Sequence, residues 1–197
     1  MSESQHVCDV TERLTNIITR FSLSDQLLLT RALTLSKKVH ATQMRYEGVP
    51  HFIHTMRIAI SLYELLEIQD AEILAAALLH DTVEDTDVTL DEIETTFNTR
   101  IATIVDALTR DKTQYTKQEK FSMTLNQPWE IRAVKVCDNL DNMRSWFTIP
   151  EGHVARLKLP KWMNEAREQY IPLARTVDEK IASLMEQELT EAEQKVK

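Results

Sequence analysis

The sequence predicts an all-α fold, a helical bundle with its functional site in the core. Three observations carry this. Apolar residues recur at helical spacing along most of the chain. No stretch alternates apolar and polar residues as a half-buried strand does. The run 73–79 is apolar on nearly every side, as a central helix wrapped by others must be, and it leads straight into His80 and Asp81.

Each element follows from its own residues. Residues 8–21 read as an amphipathic helix, with Val10, Leu14, Ile17, Ile18 and Phe21 on one side. Ser24 suits the N-cap of a second helix reaching about residue 40, with Asp25 in its first turn. Gly48 and Pro50 end the broken segment 42–50 in a turn. A third helix covers 51–66, with Ile53, Ile58, Leu62 and Leu65 apolar. Residues 71–85 read as one continuous helix. Thr89-Leu90-Asp91-Glu92 is a capping box opening a short helix, and Asn98 suits a left-handed stop after Phe97. Residues 99–109 are helical again, and the charged stretch 111–120 is a loop passing into a short helix. Pro128 fits the first turn of a helix that runs to about Trp146. Pro150 and Gly152 mark a loop. From Pro160 the chain is helical, with a break or kink at Pro172 and a fresh cap from Thr176 and Glu179. The charged tail after Leu189 is expected to fray.

Composition bounds the function. A chain of 197 residues with 43% hydrophobic content suits a single domain over 1–197 and can bury a real core. Its longest apolar run is far too short to span a bilayer. Met1-Ser2-Glu3-Ser4 lacks the basic and apolar regions of a signal peptide. Cys8 and Cys137 are too few for a disulfide framework and read as reduced thiols of a cytoplasmic protein. The net charge of −8 argues against a nucleic-acid binder, yet a metal and a few basic side chains can still hold a small anion. Two glycines, Gly48 and Gly152, cannot build a Walker A loop or a dinucleotide fingerprint, and no G-x-S-x-G elbow exists. Phosphate handling therefore falls to metal and side chains. A homo-oligomer is compatible with this composition.

The candidate chemistry gathers around His80 and Asp81. On a continuous helix Glu84 stands one turn beyond His80, and Asp85 one turn beyond Asp81. His54 opens the third helix, and Asp138 lies on the 128–146 helix. Two imidazoles and two carboxylates without a thiolate suit manganese, iron or zinc, with positions left for water and substrate. The thiol count excludes a cysteine-based structural zinc site. Each residue alone has an ordinary reading: His54 as a helix-start hydrogen bonder, Asp138 as a partner of Arg132 or Arg144. His51, just before His54, is given no role.

His54, then His80-Asp81, then Asp138 resembles the H…HD…D order of the HD-domain metal-dependent phosphohydrolases. Arg45-Tyr46-Glu47-Gly48-Val49-Pro50 with His54 looks like the R-x-x-G-x-P…H segment of the Rel/SpoT alarmone hydrolase domain. Residues 75–86 resemble its A-x-L-L-H-D-x-x-E-D-T core. Residues 135–144 resemble its K-x-A-D-x-x-x-N-x-R helix. The stretch 108–120 is similar to the stand-alone small alarmone hydrolases, including the metazoan type. The likeness covers about 25–150, with C-terminal helices over 153–189 added to it. Thr55 stands where that family usually has proline, and Cys137 where it has alanine. Asn139 and Asp141 replace its usual basic or aromatic choices and make the pocket more polar or acidic.

The resemblance implies hydrolysis of (p)ppGpp at the 3′ position, giving GDP or GTP and pyrophosphate, with Mn²⁺ or another divalent metal held by His54, His80, Asp81 and Asp138. Glu84 and Asp85 then orient or deprotonate the attacking water, or Asp85 instead supports the metal ligands from behind. Arg45 binds the purine, Asn142 the ribose or phosphate, and Lys112 and Lys117 the pyrophosphate. The chain ends too soon after this region for an attached synthetase, so a hydrolase alone is expected. Two other readings stand beside it: an HD-type hydrolase of adenine alarmones or other nucleotides, and a non-enzymatic nucleotide-binding module.

Overall fold

The computed structural model describes residues 3–195. Among the described residues there is no strand, and an isolated antiparallel bridge joins Met44 to Pro50. The helices are α1 (Glu3–Ile18), α2 (Leu23–Val39), α3 (His51–Leu65), α4 (Ala71–Leu79), α5 (Thr82–Asp85) and α6 (Leu90–Thr96). They continue as α7 (Thr99–Leu108), α8 (Lys117–Thr124), α9 (Trp129–Ser145), α10 (Leu159–Glu165), α11 (Ile171–Arg175) and α12 (Glu179–Lys195). No helix among the described residues is long and apolar enough to cross a membrane.

The all-round apolar run becomes the axis of the bundle. Helix α4 packs against α2, α3, α7 and α9. Leu74, Ala75, Ala76, Ala77, Leu78 and Leu79 are sealed from solvent, and the alanines let neighbouring helices approach closely. Asp70 caps this helix by accepting hydrogen bonds from the Glu72 and Ile73 amides. Its buried end delivers His80 and Asp81 into the core.

Several local expectations are corrected. Ser22, not Ser24, caps α2, with its hydroxyl accepting from the Asp25 amide. Asn98 is no left-handed stop: its backbone is extended, and its side chain caps α7 by accepting from the Ile101 amide at 2.9 Å. The capping box at Thr89 and Glu92 is present, and a second one at Thr116 and Glu119 opens α8. Asp178, rather than Thr176 with Glu179, caps α12 through the Lys180 and Ile181 amides. The tail stays helical to Lys195, because Leu189 and Ala192 are buried in the bundle. Near Pro172 a π turn over Ala166–Tyr170 leads into α11, easing the ladder where proline offers no N–H.

The main correction lies at the site. Residues 71–85 are not one helix. The ladder stops after Leu79 and restarts at Thr82. Thr82 stabilises the break by donating its hydroxyl to the Leu79 carbonyl at 2.6 Å. Glu84 is therefore re-aimed relative to His80, whereas Asp85 keeps its place one turn beyond Asp81, its amide donating to the Asp81 carbonyl at 3.0 Å. The loop before α3 is also shaped for the site. Gly48 has φ of 85°, which L side chains rarely adopt, and its amide donates to the Arg45 carbonyl at 3.0 Å. This turn sets Arg45 toward the core.

Candidate active site and metal centre

Three helices and one loop bring the ionisable groups together. His54 comes from the first turns of α3, His80 and Asp81 from the break after α4, and Asp138 from the middle of α9. His54 is 1% exposed, and His80 and Asp138 are 5% exposed. His54 Nε2 lies 3.2 Å from Asp138 Oδ1 and 3.8 Å from Asp81 Oδ2. His80 Nε2 lies 3.1 Å from Asp81 Oδ1. Ligand-type atoms of His54, His80 and Asp81 all fall within 4.8 Å of one another, as do those of His51, Asp81 and Asp85.

Hydrogen bonds fix how the imidazoles face. His80 Nδ1 lies 2.8 Å from the Ala77 carbonyl, which only accepts, so Nδ1 carries a proton. Its Nε2 is buried and, despite the nearby Asp81 oxygen, has no hydrogen bond of acceptable geometry. His54 Nδ1 likewise donates to Asp141 Oδ2 at 2.7 Å, turning its Nε2 toward Asp138 and Asp81. Two Nε2 atoms thus converge on two carboxylates around an orphaned buried nitrogen. This donor set fits a divalent cation of the manganese, iron or zinc kind.

The electrostatics agree with that fit. Burial opposes charge on His80, but Asp81 and Asp138 outweigh it and raise its pKa to about 9. Burial also works against the Asp81 carboxylate, yet the charge of nearby His80 and the hydrogen bond from His51 hold it well below the usual range. Asp138 is held down against burial by Lys135 and the two histidines. A buried imidazole beside two carboxylates makes a pocket that favours positive charge.

Both acids meet the loop after α7, with Glu84 turned away from His80 and Asp85 still beside Asp81. Glu84 Oε2 accepts from the Arg110 amide at 2.9 Å, and its Oε1 lies 3.3 Å from Lys112 Nζ. Lys112 also donates to Asp85 Oδ1 at 2.9 Å. Asp85 reaches back to the cluster near His51 and Asp81. The predicted lysine pair divides. Lys117 lines a cavity of about 460 Å³ with Arg45, Asn142, Asp85 and His51, whereas Lys112 stays on the acidic pair outside it. Lys117 is not a free cation there, since it binds Glu165 Oε2 at 2.6 Å and the Tyr170 hydroxyl. Arg45 Nη2 donates to Asn142 Oδ1 at 2.6 Å, and Asn142 Nδ2 donates to Asp138 Oδ1 at 2.7 Å. The two residues expected at the nucleotide are thereby joined to each other and to Asp138.

Sequence reasoning passed over several residues that the fold brings here. His51, set aside in the sequence although it stands one helical turn before His54, sits 2.9 Å from Asp81 Oδ2. Lys135, not Arg132 or Arg144, is the partner of Asp138, at 2.7 Å. Asp141, Arg57 and Glu47 form a buried acid–base cluster behind His54. The C-terminal region also contributes more than expected. Trp162 and Tyr170 line the cavity, and Trp162 stacks with Tyr46 and Trp146 at ring distances of 6.1 and 6.4 Å. Their separation from the motifs in sequence left no local signal.

A helical bundle with a histidine–aspartate cluster at its core defines the class: the chain belongs to the HD-domain family, whose profile matches residues 32–178. Within it, the chain is 34% identical over 139 residues to the guanosine-3′,5′-bis(diphosphate) 3′-pyrophosphohydrolase of Danio rerio, covering 68% of this chain and 77% of that protein. It is 36% identical over 135 residues to the human protein of the same description, covering 66% and 75%. A guanosine-3′,5′-bis(diphosphate) 3′-pyrophosphohydrolase of Aquifex aeolicus (strain VF5) is 35% identical over 150 residues, 73% of this chain but 20% of that longer protein. In fold, the chain is similar to the solved structure of a metazoan ortholog of SpoT that hydrolyses ppGpp, with TM-score 0.74 and 22% identity over 83% of this chain and 94% of that one.

Proposed function

We propose that the protein is a metal-dependent pyrophosphohydrolase that removes the 3′-pyrophosphate from ppGpp and pppGpp. One observation carries the reading: two imidazole Nε2 atoms converge on Asp81 and Asp138, with the Glu84–Asp85 pair and a nucleotide-sized cavity beside them. The relatives that match most of their own length bear the name of this activity, which supports the assignment.

His54, His80, Asp81 and Asp138 hold the metal, and the nitrogen–oxygen donor set suits Mn²⁺. A bound divalent ion supplies Lewis-acid polarisation of the phosphoryl group and a more acidic water. The remaining work belongs to side chains. Glu84 and Asp85 orient the attacking water and accept its proton. The water oxygen bonds to the phosphorus carried on the ribose 3′ oxygen. The bond between that phosphorus and the ribose 3′ oxygen breaks, and the 3′ oxygen takes up a proton from solvent. The products are GDP from ppGpp or GTP from pppGpp, with pyrophosphate. Lys112 steadies the acidic pair from the loop and meets the pyrophosphate, while Lys117 does so from the cavity wall. Arg45 lays its planar guanidinium on the purine, and Asn142 reaches the ribose. The two free cysteines suit a reducing cytoplasm, and the substrate is a small nucleotide, not a nucleic acid.

The test is an assay of purified protein with Mn²⁺ against ppGpp, ppApp and simple nucleotides, with pyrophosphate and phosphate release measured separately. Pyrophosphate release from ppGpp is expected, and it should disappear with a chelator. Intact ppGpp in the presence of Mn²⁺ refutes the proposal, and faster turnover of ppApp moves the base preference to adenine.

A further inference from the structure

Asp141, Arg57 and Glu47 stand outside the reaction itself. Asp141 Oδ2 accepts from His54 Nδ1 at 2.7 Å. Arg57 grips both oxygens of the same carboxylate, Nε to Oδ1 at 2.7 Å and Nη2 to Oδ2 at 3.0 Å. Arg57 Nη2 also donates to Glu47 Oε1 at 2.9 Å, and Glu47 Oε1 accepts from Arg45 Nε at 3.0 Å. From Arg45 the bonds return through Asn142 to Asp138, whose Oδ1 lies 3.2 Å from His54 Nε2. The polar contacts close into a ring.

None of these three residues faces the nucleotide cavity. They border a separate cavity of about 960 Å³ that also touches α1, on the far side of His54. They are deeply placed: the side chains of Asp141 and Glu47 are each 5% exposed, and that of Arg57 is 19% exposed. A buried cluster of two acids and an arginine is costly to assemble for stability alone, since apolar residues of similar size often do as well. Its contact with the rear nitrogen of a candidate metal ligand gives it a different use. A carboxylate on the far N–H of a ligating histidine fixes the tautomer, locks the ring and raises its basicity.

We propose that Asp141 is a positioning residue for His54, and that Arg57, anchored by Glu47, holds Asp141 in place. The role belongs to the metal site of the reading above, but it is tested without nucleotide. Asp141→Asn keeps the shape and loses the carboxylate charge. Its affinity for Mn²⁺, read from free Mn²⁺ by electron paramagnetic resonance, is expected to fall about 10–100-fold. Excess Mn²⁺ should then restore most of the turnover. Nitrogen-15 spectra should show the hydrogen-bonded His54 Nδ1 proton in the parent and its loss or marked shift in the variant. Thermal melting identifies folded material. Arg57→Gln provides the second arm if Asp141→Asn does not fold: it leaves the His54–Asp141 contact but loosens it, and a smaller loss of Mn²⁺ affinity is expected. Parent-like Mn²⁺ affinity in folded Asp141→Asn, or in Arg57→Gln where only that variant folds, overturns the proposal. A parent protein that binds Mn²⁺ tightly yet leaves ppGpp intact would count against the substrate assignment and leave this inference standing.

Discussion

Glu84 and Asp81 are close in sequence, but their side chains have different partners. Asp81 Oδ2 lies 2.9 Å from His51 Nε2, and the Asp81 oxygens also stand near the Nε2 atoms of His54 and His80. Glu84 is held by the Arg110 amide and Lys112, one step away from the ligand cluster. Removing each should therefore fail differently. Asp81→Ala is expected to lose bound Mn²⁺ and with it all turnover. Glu84→Gln is expected to keep the metal and lose about 10²–10⁴-fold in kcat, the usual contribution of a positioned acid–base group. Metal binding and hydrolysis measured side by side decide the matter, and metal loss in Glu84→Gln would show that the two roles have been exchanged. Lys135 explains why Asp138 tolerates burial without a metal: its ammonium pairs with Asp138 at 2.7 Å and keeps the carboxylate charged.

The break between α4 and α5 decides the site at the scale of elements. An unbroken helix would have stacked Glu84 on His80. The interruption instead turns Glu84 toward the Arg110 amide, while Asp85 stays beside Asp81. Thr82 is central to it, since its buried hydroxyl satisfies the Leu79 carbonyl and its own carbonyl accepts from Thr86. Thr82→Val keeps the shape and removes that donor. A loss of about 1–3 kcal/mol is expected from the unsatisfied buried carbonyl, measured by urea unfolding. The variant should also bind Mn²⁺ more weakly, because the ends of the two helices are no longer pinned. Unchanged stability would mean that the break is set by α4 packing alone. That packing is substantial in its own right: Leu78→Ala, in a fully buried position, is expected to cost about 2–5 kcal/mol.

At the scale of the whole molecule, folding concentrates acidic side chains around a buried imidazole. Burial opposes the imidazolium of His80, but Asp81 and Asp138 raise its pKa from 6.5 to about 9. A pKa raised by folding stabilises fully below the ordinary value of 6.5, and this contribution fades as pH climbs toward about 9. The metal-free protein is thus expected to melt several degrees lower at pH 9 than at pH 6.5. Saturating Mn²⁺ displaces the proton and should reverse the trend, since a ligand at 100 times its Kd adds about 2.7 kcal/mol to the folded state. Melting curves across this pH range, with chelator and with Mn²⁺, test both statements. Parallel curves under the two conditions would contradict a metal bound at His80.

Much of this architecture was legible in the chain itself. Helical periodicity marked every major helix, because a buried stripe must repeat at the helical period whatever it packs against. The alanine and leucine run before His80 announced the central helix, and the four separated ligand-type residues resembled a known order. Other features depend on distance in space. Asp141 pairs with Arg57 only because α3 lies on α9, and Trp162 reaches Tyr46 only because the C-terminal helices fold back over the 42–50 loop. Periodicity cannot foresee a partner from another helix, nor a ladder whose break is tolerated because a threonine hydroxyl satisfies the buried carbonyl it leaves. By itself, the sequence determined the helical class and the residue types that could hold a metal, since both follow from local spacing and side-chain chemistry. Tertiary structure alone decided which nitrogen faces the centre, which acids stand behind it and where Glu84 points, because each depends on a hydrogen bond made across elements.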